Sequence, residues 1–128
     1  MKLTIDGITY DVFVSSLSRN ANIKESKLSG DVKSGNRFRD IVGTYYNYEM
    51  EIATDRLSPT DYDALYEVLT APQASHTVSL PYGRTGVMEF DAYIQSVGDE
   101  LKRDENPERA WSNLSVAFTA KRPQRRPS

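Results

Sequence analysis

Few side chains in this sequence are of the kinds that do chemistry, and their spacing limits them further. His76 is the single histidine, in the run Ala-Ser-His-Thr. A histidine beside a serine raises nucleophilic catalysis, but neighbours on a strand point to opposite faces, so Ser75 and His76 are badly placed to share a proton. No further catalytic element accompanies them. With one histidine and no cysteine, a zinc site is short of its usual ligands, and thiolate and disulfide chemistry are excluded. The carboxylates follow no calcium-loop pattern. Pro81-Tyr82-Gly83-Arg84-Thr85-Gly86 lacks the Gly-Lys-Ser/Thr ending of a phosphate loop and reads as a hairpin connection. No cofactor and no enzymatic activity are expected.

Charge and aromatic residues offer binding instead. From Leu101 to Ser128 seven basic residues stand against three acidic ones, a local +4, while the remainder carries −6. A basic end on an acidic body suits docking onto an acidic neighbour, and a solvated tail explains the charge run equally well. Arg122, Arg125 and Arg126 are candidates for that contact, in an arm held extended by Pro123 and Pro127. Eight tyrosines raise stacking on sugars or bases. Tyr10, Tyr46, Tyr48, Tyr62 and Tyr66 fall on apolar faces, which leaves Tyr45, Tyr82 and Tyr93 for the surface. Trp111 is out of phase with Leu114, Val116 and Phe118. It is either an interface anchor or a cap on the core.

The element that organises these residues runs from Thr44 to Pro72. Tyr46, Tyr48, Met50 and Ile52 alternate with Asn47, Glu49 and Glu51, the period of a strand with one buried face. Ser58-Pro59 then opens a helix: the serine caps it and the proline suits its first position. Tyr62, Leu65, Tyr66 and Leu69 make one apolar stripe, and Pro72 stops the helix. Before this unit, Leu3 and Ile5 pair through the Asp6-Gly7 turn with Ile8, Tyr10, Val12 and Val14 as a hairpin. Leu17 to Ile23 reads as a weaker edge strand. Lys24 to Val42 is a long charged loop or extended hairpin, in which Lys33, Arg37, Phe38, Arg39 and Ile41 are interface candidates. After the helix come strands at His76–Leu80 and Met88–Ile94, a polar excursion from Asp99 to Arg109, and a last strand through Leu114, Val116 and Phe118.

The expected fold is therefore mainly β: two packed antiparallel sheets, as a sandwich or barrel, with one flanking helix and a long protruding loop. Residues 1–121 form one domain and 122–128 the basic arm. The alternating strands argue against a parallel sheet. No apolar run has membrane-spanning length, and the N-terminus MKLTIDGITY reads as a strand, with no signal-peptide pattern.

The order and texture of GTYYNYEMEIA, LSPTDYDALYEVL, SHTVSLPYG and WSNLSVAF resemble small tail proteins of tailed bacteriophages and prophages. The resemblance covers most of the chain. It implies a tube, distal tail or baseplate-type component that assembles with copies of itself, as a hexameric ring, and with other tail proteins, DNA being met only in transit through a channel. Glu49, Glu51, Glu89 and Asp91 would then line the channel, where like charge keeps the phosphate backbone from adhering. A wet sheet face explains these carboxylates equally well. The alternative function is a monomeric β-sandwich that binds carbohydrate or a host surface.

Overall fold

The computed structural model describes residues 2–26, 30–31, 37–53, 57–104 and 109–127. Strands β1 (Lys2–Ile5) and β2 (Ile8–Asp11) form the N-terminal hairpin. Its turn residues Asp6 and Gly7 take φ of 51° and 83°, as a two-residue turn matched to strand twist requires. Then follow β3 (Phe13–Glu25), β4 (Gly30–Asp31), β5 (Arg37–Phe38), β6 (Ile41–Ala53), helix α1 (Pro59–Leu69), β7 (His76–Tyr82), β8 (Gly86–Asp104) and β9 (Arg109–Ala120).

Seven strands make one antiparallel sheet in the order β2-β1-β7-β8-β9-β6-β3, and β4 and β5 pair separately. The mainly β, antiparallel fold with a single helix is as expected, and the two packed layers of the expected sandwich or barrel belong to one continuous ladder. The reason is the length of β8. Its first part pairs with β7 from Gly86 to Ala92, and the rest pairs with β9 through three register shifts, which bend the strand and turn one half of the sheet over the other. The halves meet through side chains. The Tyr48 hydroxyl on β6 donates to the Pro81 carbonyl on β7 at 3.0 Å, and the Tyr48 ring stacks on Phe90 of β8 with centroids 5.8 Å apart. The edge strands β2 and β3 are consecutive in sequence and joined at fully buried Val12, so the chain passes directly from one edge to the other.

The alternation of β6 buries Tyr46, Tyr48, Met50 and Ile52 as expected. Ile8 departs from its pattern and is exposed, since it flanks the turn on an edge strand. The polar excursion from Asp99 to Arg109 is also different: β8 runs to Asp104 and β9 begins at Arg109. Helix α1 starts where the sequence places it. The Ser58 side chain accepts from the Asp61 N–H at 3.1 Å, and Pro59 takes the first turn. Tyr62, Leu65 and Leu69 are buried in the same core as the sheet, with Tyr66 packed beside them. Burying a side chain the size of Leu65 contributes about 1.5–3 kcal/mol.

Candidate assembly surfaces

The carboxylates of the outer sheet face divide into two groups. Glu49 and Glu51 are exposed on β6. They line a shallow cleft of about 210 Å³ with Ser96, Ser115 and Ala117. Glu89 and Asp91 lie on β8 opposite Ser79 and Thr77 of β7. Asp91 is engaged within the chain: Thr77 Oγ1 donates to it at 2.9 Å and Arg122 reaches it at 3.3 Å. One predicted channel residue and one predicted interface residue are thus partners of each other.

The basic end is seated on β6. Backbone bonds join the Thr44 N–H to the Arg125 carbonyl at 2.8 Å and the Arg125 N–H to the Thr44 carbonyl at 3.4 Å. Between them the Gln124 amide takes both backbone groups of Tyr46: it accepts from the N–H at 2.9 Å and donates to the carbonyl at 2.8 Å. β9 pairs with β6 only at positions 48 to 52 of β6, so the C-terminal segment supplies partners where that ladder stops. Gly43 leaves room for this. A Cβ there would stand 2.6 Å from Pro123 Cβ and 2.7 Å from the Arg125 carbonyl oxygen. The expected arm that reaches away from the body is, through Arg125, a strap on its own sheet. Arg126 is exposed beyond it.

Seating Arg125 brings together a cluster at one end of the core. Arg19 on β3 lies opposite Tyr48, and its guanidinium covers the Tyr82 ring at 5.4 Å. The Tyr82 ring meets Tyr46 edge-on at 5.4 Å, with 3.5 Å between the hydroxyls. The Tyr46 hydroxyl is held below the ordinary phenol range by hydrogen bonding from Tyr82 and then Arg125, with both guanidinium charges adding to the effect. Tyr82, as the donor of the pair, is pushed up. Sequence reading left Tyr82 for the surface and passed over Arg19 and Gln124. The spacing Leu17, Arg19, Ala21 on an alternating strand was the available signal for Arg19.

The remaining candidates are dispersed. Lys33 lies outside the described residues. Arg37 and Phe38 form β5, opposite Asp31 and Gly30. Arg39 pairs with Glu25, and Ile41 is exposed at the start of β6. Both sit where β3 and β6 run on as a long hairpin, with the Ser26 N–H donating to the Asp40 carbonyl at 2.8 Å. Trp111 is a strand residue of β9 opposite Leu101 of β8, and both are exposed.

His76 is 2% exposed, and its Nδ1 lies 2.7 Å from the Asp6 carboxylate. Asp6 also accepts from the Thr77 N–H at 2.9 Å, and its own N–H donates to the Thr77 carbonyl at 2.7 Å. Burial alone would raise the Asp6 carboxyl. The His76 and Thr77 hydrogen bonds and the His76 charge outweigh that and hold it below the usual carboxylate range. The pair ties the first hairpin turn to β7. Among the described residues no group of three or more His, Cys, Asp or Glu is placed to hold a metal ion.

No family model matches the sequence, and no curated protein matches it. A solved structure shares the fold. The chain is similar to a chain in the virion of a native gene transfer agent particle, at a TM-score of 0.50 and 13% identity, over 92% of this chain and 89% of that one. At this identity the likeness is one of fold.

Proposed function

We propose that this chain is a non-enzymatic structural subunit of a phage-type tail, of the tube, distal tail or baseplate class, that self-assembles into a hexameric ring around a DNA channel. The observation that carries the reading is the fold shared, over 92% of this chain, with a chain of a gene transfer agent virion. The surfaces accord with it. Edge strand β3 is long and exposed along most of its length, and an exposed edge must be covered or paired in a stable particle. His76 has a structural part, since its ring is buried against Asp6. The acidic wall reduces to Glu49, Glu51 and Glu89, because Arg122 offsets Asp91.

Mass photometry and negative-stain microscopy of the purified full chain test this reading. Rings of six, with an axial opening, are the expected result. A monomer at every concentration, or a substrate turnover abolished by His76→Ala in a folded protein, would overturn it.

A further inference from the structure

We propose that Arg19, Arg125, Tyr46 and Tyr82 form a receptor for a carboxylate side chain presented by a second copy of this chain; the occupant, though not the receptor, rests on the self-assembly reading above. Two observations define the receptor. Arg19 and Arg125 come from opposite ends of the sequence to one tyrosine pair: the Arg19 guanidinium lies over Tyr82, Tyr82 meets Tyr46 edge-on, and the Arg125 backbone is bonded to Thr44, two residues from Tyr46. Among the described residues neither arginine lies within ion-pair distance of a carboxylate, whereas Arg39, Arg109 and Arg122 each have one. Among the described residues the cluster is therefore a concentrated positive charge without a counter-charge, on a chain whose net charge is −2.

The site is also prepared in advance. The backbone that carries Arg125 is fixed by two bonds to Thr44 and by the Gln124 clamp beside it. Arg19 is laid on the face of Tyr82, a geometry that leaves the fork of a guanidinium edge available. The two phenol hydroxyls, 3.5 Å apart, stand at the outer limit of a hydrogen bond. An entering oxyanion can take a stronger bond from each of them as well as from the guanidinium groups.

The same observations choose between occupants. A DNA strand presents a row of phosphates and needs an extended basic track. Here two cations sit at one end of the core, with Tyr46 buried beneath them. A single carboxylate on a short side chain fits such a place. Copies of this chain carry exposed Glu49, Glu51 and Glu89, on a face distinct from the cluster. A contact between two different faces of identical subunits is heterologous, and it closes into a ring where the rotation between subunits closes.

The test uses the full chain in two arms. In the first, a blocked glutamate-rich hexapeptide is titrated at low salt while the Tyr46 and Tyr82 ring signals are followed by NMR. Saturable shifts are expected, with affinity at least tenfold weaker in Arg19→Gln and in Arg125→Gln and unchanged in Arg126→Gln. No saturable shift, equal weakening by Arg126→Gln, or tighter binding of a short DNA duplex to the same signals overturns the receptor. In the second arm, assembly is followed by mass photometry. Both glutamine variants are expected to move the midpoint to at least tenfold higher protein concentration, and Arg→Lys at either position to move it less. Peptide binding by a chain that never assembles overturns the occupant together with the self-assembly reading, and the receptor stands. Assembly that ignores both substitutions overturns the occupant alone.

Discussion

Gln124→Ala removes the side chain that holds both backbone groups of Tyr46, and its cost can be worked from the two bonds lost. Each is of ordinary length, 2.9 and 2.8 Å, in a part-buried setting. A typical intramolecular hydrogen bond contributes about 0.5–1.5 kcal/mol net, and a buried group left unsatisfied costs more. Water reaches part of this site, so the expected loss is about 1–2 kcal/mol, roughly 4–8 °C in Tm for a domain of this size. Urea unfolding at neutral pH measures it, with an unchanged m-value as the sign that the denatured state is unaffected. Gln124→Glu sharpens the test. A carboxylate still accepts from the Tyr46 N–H but faces the carbonyl with no proton to donate, so at neutral pH it should cost at least as much as alanine. Its folded-state pKa is then raised, so it should recover stability as the pH falls toward the ordinary glutamate value of about 4.3. Removing residues 122–128 also takes the Thr44–Arg125 bridge and the exposed Arg122–Asp91 pair, the latter contributing about 0–1 kcal/mol. A loss under about 0.5 kcal/mol for Gln124→Ala, the range of neutral surface changes, would refute the seating of the C-terminal segment.

Four further outcomes follow from the same geometry. Leu65→Ala should cost about 2–5 kcal/mol in chemical denaturation, since the side chain is fully buried between helix and sheet. Gly43→Ala should destabilise the full chain by about 1–3 kcal/mol through overpacking against Pro123, and by less once residues 122–128 are removed, a coupling that a double-mutant cycle reads directly. The lowered carboxyl of Asp6 stabilises the fold above its ordinary value of 3.8, and that stability is lost as the pH falls through the lower folded value; Asp6→Asn should flatten this acid limb of the stability–pH curve. Tyr62 is raised well above a free phenol, first by burial and then by its bond to Asp99. Its contribution is complete below pH 10 and declines above that as the unfolded chain ionises first, so Tyr62→Phe should remove that part of the alkaline loss, and phenolate absorbance should show one tyrosine titrating late.

Local regularities were legible in the sequence wherever burial imposed a period. The alternation of Tyr46 to Ile52 and the stripe of α1 follow from one face being apolar, the Asp6-Gly7 turn and the Ser58 cap follow from local backbone chemistry, and all are found. The distal halves of β8 and β9 were not legible, because Leu101–Asp104 and Arg109 are exposed. A strand wet on both faces has no hydrophobic period, and its ladder bonds alone hold it. The choice between a sandwich and one continuous sheet was not legible, because the register shifts of β8 lie opposite β9 and are pairwise features that no single strand displays. The Asp6–His76 contact spans seventy residues. Its aspartate had already been accounted for by the turn, and turn chemistry and tertiary pairing turn out to use the same residue.

The C-terminal segment changes where the salt dependence of assembly must come from. Read from the sequence, the arginines of the tail were equivalent, a cluster free to reach a neighbour. In the fold they have separate tasks. Arg122 is engaged by Asp91, Arg125 is paired through its backbone with Thr44 and acts on the Tyr46 hydroxyl, and Arg126 is exposed. A charge already satisfied within the chain adds little attraction toward another copy, because breaking its pair offsets most of what a new pair supplies. Screening by salt should therefore act on assembly chiefly through Arg19 and Arg125. Arg122→Gln should leave the slope of assembly against log salt near that of the unaltered protein, and the Arg19→Gln, Arg125→Gln double variant should flatten it. If Arg122→Gln flattens the slope as much as the double variant does, the Asp91 contact is broken in the assembled state, and the tail acts as an intermolecular arm after all.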